Sequence, residues 1–219
     1  MAEETVVIRE EWEWFCGVNS TDIVGINWDR AHMVSNTCRV DLFVTVVQMV
    51  SVAVFSTVLL LLKCTRQKTI STRYLVRYPG HSWKWLVTFM LALVLMASVI
   101  EGIITDSSYP SYEYGTQSHF YVTPGVSLLG LAISIVFYHM MEVWGVPHMS
   151  LSLVVYWIVS LAADSAQMSN LLYQEEDILS DGQTLTDIMK YDLVLCRLIF
   201  YSFLLLLELN VVRAKVSYK

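Results

Sequence analysis

Along this chain, long apolar runs alternate with short polar segments. Leu86 to Ile100 contains no charged residue, and with Trp83 and Ile104 as flanks the run reaches about 20 residues, enough for a helix to cross a hydrocarbon core of roughly 30 Å. A soluble core helix would show a polar stripe, and this run has none. Four further apolar runs cover about 41–62, 124–141, 149–168 and 191–212. Pro79-Gly80 breaks the chain before the second run, and Pro124 stands at the favoured first helical position of the third. The pattern predicts an all-α membrane protein. Residues 1–40 form an extracellular N-terminal cap, 41–213 a five-transmembrane-helix bundle, and 214–219 the start of a cytosolic linker.

Composition agrees with that reading. Of the 219 residues 55% are hydrophobic and only 16% charged, and the mean hydropathy of +0.52 lies outside the soluble range. A net charge of −6 argues against nucleic acid as a partner. The charges are also sorted by segment. Lys63, Arg66, Lys68, Arg73, Arg77 and Lys84 fill 63–84 without one acidic residue, which places that loop in the cytosol. Glu101 and Asp106 lead into a tyrosine-rich loop without Lys or Arg, and Glu175, Glu176, Asp177, Asp181 and Asp187 crowd a later one, so both lie outside. Arg213, Lys215 and Lys219 return the C-terminus to the cytosol. The acidic N-terminus has no basic n-region before an apolar run, so it does not read as a cleavable signal peptide. An N-terminus outside, five crossings and a C-terminus inside follow, in a multi-pass protein of the plasma membrane.

The extracellular segment carries Cys16, Cys38 and the sequon Asn19-Ser20-Thr21. The two cysteines flank the sequon on the predicted outside, which favours a disulfide over two free thiols. Closing that loop would contribute roughly 3 kcal/mol in the chain-entropy model. In the first helix Gln48 is the strongly polar interior residue, and Ala53, Ser56 and Thr57 form a small-residue face that another helix can approach. Trp83 and Trp85 suit an aromatic belt, with Lys84 snorkelling between them to the headgroups. The basic loop also suits anionic lipid, at about 1 kcal/mol per Lys or Arg near the surface.

Candidate chemistry is sparse. There is no Gly-x-x-x-x-Gly-Lys-Ser/Thr phosphate loop. His139 and Glu142 are three apart on one helical face, but no second His or Cys stands at matching depth, so neither a metal site nor a catalytic residue is assigned. Charges within the spans read as structural ion pairs. Asp164 and Arg197 share an outer depth, with Glu101 as a competing partner, while Glu142 and Glu208 lie near the cytosolic interface within reach of Lys84 or Arg213.

Several motifs resemble a known family. Phe15-Cys16-Gly17 before the sequon, Pro79-Gly80-His81-x-x-Lys84-Trp85, Thr88-Phe89-Met90, Glu101-Gly102-Ile103-x-x-Asp106, Tyr138-His139-x-x-Glu142, Val155-Tyr156-Trp157 and Glu208-x-Asn210-Val211-x-Arg213 fall in order. Over about 15–215 they are similar to the N-terminal five-helix domain of the sulfonylurea receptors, C-type ABC proteins that regulate ATP-sensitive potassium channels. The resemblance implies a non-catalytic assembly and gating module that anchors the receptor to a tetrameric inward-rectifier potassium channel pore, four copies of each, among membrane lipids. It implies a Cys16–Cys38 disulfide, a glycan on Asn19, and pore contact through the helix carrying Gln48, Ala53, Ser56 and Thr57. It also implies a lipid- or channel-facing cytosolic set comprising Lys63, Arg66, Lys68, Lys84, Tyr138 and His148, with no cofactor in this chain beyond a phosphoinositide at that face. His148 stands where the family carries a lysine, leucine replaces an aromatic at the inner end of the first helix, and Arg197 has no family counterpart. Two alternatives share the hydropathy pattern. One is the targeting domain of a multidrug-resistance-type ABC exporter, and the other a small stand-alone transporter using Asp164–Arg197 or His139–Glu142.

Overall fold

The structure, a computed structural model, describes residue 15 and residues 28–66, 80–108, 117–144, 150–178 and 185–217. Its regular elements there are all helices, with α1 over Trp28–Arg66, α2 over His81–Ser108, α3 over His119–Trp144, α4 over Ser150–Ile178 and α5 over Leu185–Ser217. All five helices contain a segment long and apolar enough to cross a membrane: Cys38–Val58, His81–Ser107, His119–Glu142, Ser150–Leu172 and Ile188–Arg213.

The helices outrun the apolar segments that predicted them. α1 begins at Trp28 rather than near Asp41, and its 39 residues extend roughly 58 Å at 1.5 Å per residue, well beyond a hydrocarbon core. α4 likewise continues to Ile178. A helix that has satisfied its backbone inside lipid gains by continuing into the headgroup region, so polarity marks where the membrane ends and not where the helix does.

Pro124 is another correction, since α3 starts at His119 and the proline sits inside its second turn. Proline has no N–H and cannot return a helical hydrogen bond to the Phe120 carbonyl. That carbonyl lies instead against Gly102 of α2, where a Cβ would come within 2.3 Å of its oxygen. The backbones of α2 and α3 therefore meet at a point that only a glycine allows, with a Cα–H facing a carbonyl. The end of α2 is tied to the start of α3 close by, where the Gln117 backbone N–H donates to Asp106 Oδ1 at 2.6 Å. At the other end of α2, Gly80 adopts φ +80°, and the Lys84 N–H closes back onto its carbonyl at 2.8 Å.

Packing arranges the five helices as a ring in the order α1–α3–α2–α5–α4, with α4 returning to α1 and a lighter contact of α3 with α4 across the middle. The enclosed core is aromatic. Phe55 meets Phe137 and Tyr156 edge-on at centroid distances of 5.8 and 5.3 Å, and Trp157 lies 4.9 Å from Tyr156 and 5.9 Å from Tyr201. Leu91, Leu95, Leu131, Met141, Leu153 and Leu204 fill the gaps between these rings. α1 is the least enclosed helix, with 17% of its apolar window buried against 39% in α2. Its outer face presents Phe43, Val46, Met49, Val50, Val54, Leu60 and Leu61.

Candidate functional site

The ring carries a buried charge network at each end and one broad apolar face on α1. The first network joins the start of α2 to the ends of α3 and α5 and to the start of α4. Lys84 of α2 is 5% exposed and forms an ion pair with Glu208 of α5, which is fully buried and also accepts a hydrogen bond from Ser150 Oγ at the start of α4. The ammonium stands 3.5 Å from the centroid of the Tyr138 ring on α3, a cation–π contact. One turn nearer the start of α2, His81 Nδ1 lies 2.5 Å from Glu142 Oε1 and 3.3 Å from the Tyr138 hydroxyl, and its ring is edge-on to Trp85 at 6.3 Å. One ammonium, one imidazole and two carboxylates thus fasten four helices together.

This geometry corrects the reading of Lys84 and Tyr138 as lipid- or channel-facing. Lys84 does not snorkel. Its stem turns inward because Glu208, Ser150 and Tyr138 give the ammonium a carboxylate and a π face that hydrocarbon cannot offer. Tyr138 is 4% exposed beneath it. Trp83 faces outward at 62%, as an aromatic belt requires. Glu142 pairs with His81, whereas His139 is exposed on a different face of α3. The His81–Glu142 contact is a pairing that spacing along the chain did not reveal, because the partners are 61 residues apart.

The second network occupies the opposite end. Arg197 Nε of α5 lies 3.2 Å from Asp164 Oδ2 of α4, as their common depth predicts, and its Nη2 donates to Gln167 Oε1 at 2.7 Å. Gln167 Nε2 in turn donates to Asp41 Oδ1 of α1 at 2.7 Å. Asp41 Oδ2 stands 4.0 Å from His119 Nε2 of α3, whose Nδ1 is 3.1 Å from the Phe15 carbonyl. A polar relay therefore runs from α5 through α4, α1 and α3 to the N-terminal segment. Thr45 and Thr123 share a hydrogen bond of 2.8 Å one turn deeper, joining α1 to α3. Glu101 does not compete for Arg197. It accepts from Thr105 Oγ1 at 2.7 Å, with Lys190 at 4.0 Å. Phe15 is buried against Cys38, Leu42 and Val122, and Cys38, 1% exposed, is disulfide-bonded.

The remaining expected site residues separate. Gln48 is wholly buried, so it does not share the outer face of α1, where Ala53 and Thr57 are exposed and Ser56 is half-buried. The Thr57 hydroxyl donates to the Ala53 carbonyl at 2.8 Å, so that donor is satisfied within the helix. Lys63 and Arg66 lie in the last turn of α1. Cys16, Asn19, Lys68 and His148 fall outside the described residues.

No protein-family model matches the chain. Comparison with curated proteins finds ATP-binding cassette sub-family C member 8 of Homo sapiens, 29% identical over 140 residues, which are 64% of this chain and 8% of that protein. The proteins of the same name from Cricetus cricetus and Rattus norvegicus are each 26% identical over the same length and share. The chain thus matches about 8% of the length of these relatives. A ring of five membrane-spanning helices and these matches together describe a multi-pass membrane protein with a sulfonylurea-receptor-like N-terminal region, similar to a C-type ABC protein.

Proposed function

We propose that this five-helix ring is a non-catalytic assembly and gating module that anchors a sulfonylurea-receptor-type protein to a tetrameric inward-rectifier potassium channel pore in the plasma membrane, four copies around each pore. The similarity to ATP-binding cassette sub-family C member 8 carries the reading. The arrangement of polarity supports it. Lys84 with Glu208 and Asp164 with Arg197 form buried pairs inside the ring, as a rigid adaptor needs, and the apolar outer face of α1, the least enclosed of the five spans, is a broad surface for another membrane helix. The excess of Lys and Arg in 63–84 supports a cytosolic position for that segment, hence an outside N-terminus carrying a Cys16–Cys38 disulfide and a glycan on Asn19. On the cytosolic side the same basic residues suit the headgroups of anionic lipid, a phosphoinositide among them.

Co-expression with an inward-rectifier subunit tests the function. Surface potassium current or open probability should rise several-fold over the pore alone. An unchanged current with this chain present at the cell surface would leave the anchoring role without support.

A further inference from the structure

The polarity of the relay that ends at Phe15 is fixed from both of its ends. A guanidinium can only donate, so the Gln167 oxygen faces Arg197 Nη2 and the Gln167 amide nitrogen faces Asp41. Asp41 Oδ1 accepts from that nitrogen, and Oδ2 is left to face His119. From the other side, the Phe15 carbonyl can only accept, so the proton of a neutral His119 stands on Nδ1. Its Nε2 is then a bare lone pair. The two arms of the relay therefore meet as two acceptors, Asp41 Oδ2 and His119 Nε2, held 4.0 Å apart.

That separation is beyond hydrogen-bond reach, and two lone pairs gain nothing by closing it. The neighbouring hydroxyls are engaged elsewhere. Thr45 donates to the Asp41 carbonyl at 2.7 Å, and Thr123 lies 3.0 Å from the His119 carbonyl and 2.8 Å from Thr45 Oγ1. The imidazole is held in place by the Phe15 and Phe120 rings, at centroid distances of 5.9 and 4.1 Å. Among the described residues, Lys190 and Arg197 of α5 and Asp106 of α2 are the charged groups within electrostatic range of the pair. The His119 side chain is 1% exposed and that of Asp41 13%, so water reaches the pair from the Asp41 side. What such a pair binds is a single proton, which gives one of the two acceptors something to donate.

We infer that Asp41 and His119 form a proton-binding site at the Phe15 end of the ring, taking up one proton that Oδ2 and Nε2 share. The proton comes from water, and no other covalent bond is made or broken. With it bound, the contact becomes a hydrogen bond that joins α1 to α3 and, through Nδ1, to the N-terminal segment. With it lost, two acceptors face one another, and α1 is held at this level by Gln167 and the Thr45–Thr123 hydrogen bond. The site is a latch that closes as pH falls and opens as pH rises. It is independent of any channel partner.

Imidazole ¹⁵N resonances of the full chain in lipid nanodiscs, followed from about pH 8 to about pH 5, test this. His119 is identified without a variant, by transfer from its Nδ1 proton to a ¹³C-labelled phenylalanine carbonyl. Its Nδ1 should carry a proton throughout, while Nε2 moves from the bare-acceptor position to the hydrogen-bonded one as pH falls. An Nε2 resonance that stays at one position across the range overturns the proposal. Asp41→Asn is the second arm. Its side-chain oxygen still accepts from Gln167, and its NH₂ donates to Nε2 at every pH, so the hydrogen-bonded position should hold throughout. A pH step that persists unchanged in Asp41→Asn places the proton elsewhere and also overturns the proposal.

Discussion

Lys84→Met removes the ammonium that binds α2 to α5 while keeping most of the side chain's volume. In the native ring the Lys84 side chain is 6% exposed and that of its partner Glu208 is 0% exposed, so the substitution leaves a carboxylate enclosed in protein with Ser150 as its remaining donor. Truncating one member of a buried pair costs about 3–5 kcal/mol, mostly because the other charge stays buried. For a chain of this size each kcal/mol moves Tm by roughly 2–4 °C, so a loss of roughly 6–20 °C is expected. Glu208→Met should cost as much for the mirror reason, with Lys84 retaining only the Tyr138 ring and more distant charge. The double variant Lys84→Met/Glu208→Met leaves no unpaired charge. Its expected cost is about 1 kcal/mol, from the Ser150 hydroxyl that has lost its acceptor. Fluorescence-detected thermal unfolding in nanodiscs over the complete cycle measures this, and the coupling should exceed about 2 kcal/mol. Additive effects, or single variants each within about 1 kcal/mol of the parent, would refute the inward, paired placement of Lys84 and restore its snorkelling role.

Other expectations follow from the same packing. Gly102→Ala places a methyl 2.3 Å from the Phe120 oxygen, a backbone atom that cannot rotate away, so α2 and α3 must separate, and the resulting overpacking should cost about 3 kcal/mol and lower surface expression. Gly125→Ala, with nothing within 4 Å of the added methyl, is the matched control and should be neutral. Arg197→Gln should block surface delivery by leaving Asp164 as an unpaired carboxylate, and adding Asp164→Asn should recover much of it; failure of the double variant alongside normal folding would point to a role beyond pairing. Peptide-N-glycosidase should shift the protein's electrophoretic mobility and Asn19→Gln should abolish the shift, since an outside N-terminus exposes the sequon; an unshifted native protein would contradict that topology.

The spans were legible because lipid demands long uncharged runs, and Leu86–Ile100 could be little else. The helix ends were not, since α1 and α4 continue as helices through polar sequence once clear of the apolar segment. Pro124 misled for a local reason. A missing N–H is tolerated at the first helical position, and it is tolerated five residues later because Gly102 lets a neighbouring backbone stand against the carbonyl it leaves. Equal depth was enough to pair Asp164 with Arg197. Lys84 was harder, because an interfacial lysine has two good solutions, headgroups or a buried carboxylate, and only the ring order that brings α2 beside α5 decides between them. The same ordering explains why His81–Glu142 and Gln167–Asp41 could not be read along the chain. Hydropathy specifies which segments span but not which spans touch.

The reading that this ring anchors a potassium channel is tested most directly by whether it travels with the pore. The full chain, carrying an affinity tag and co-expressed with an untagged inward-rectifier subunit, should co-purify from detergent as a complex of four chains with one tetrameric pore. Bulky charged substitutions on the outer face of α1, such as Ala53→Arg, should break the complex while leaving the ring folded. Recovery of the chain alone, folded and at the cell surface but without the pore, would contradict the account.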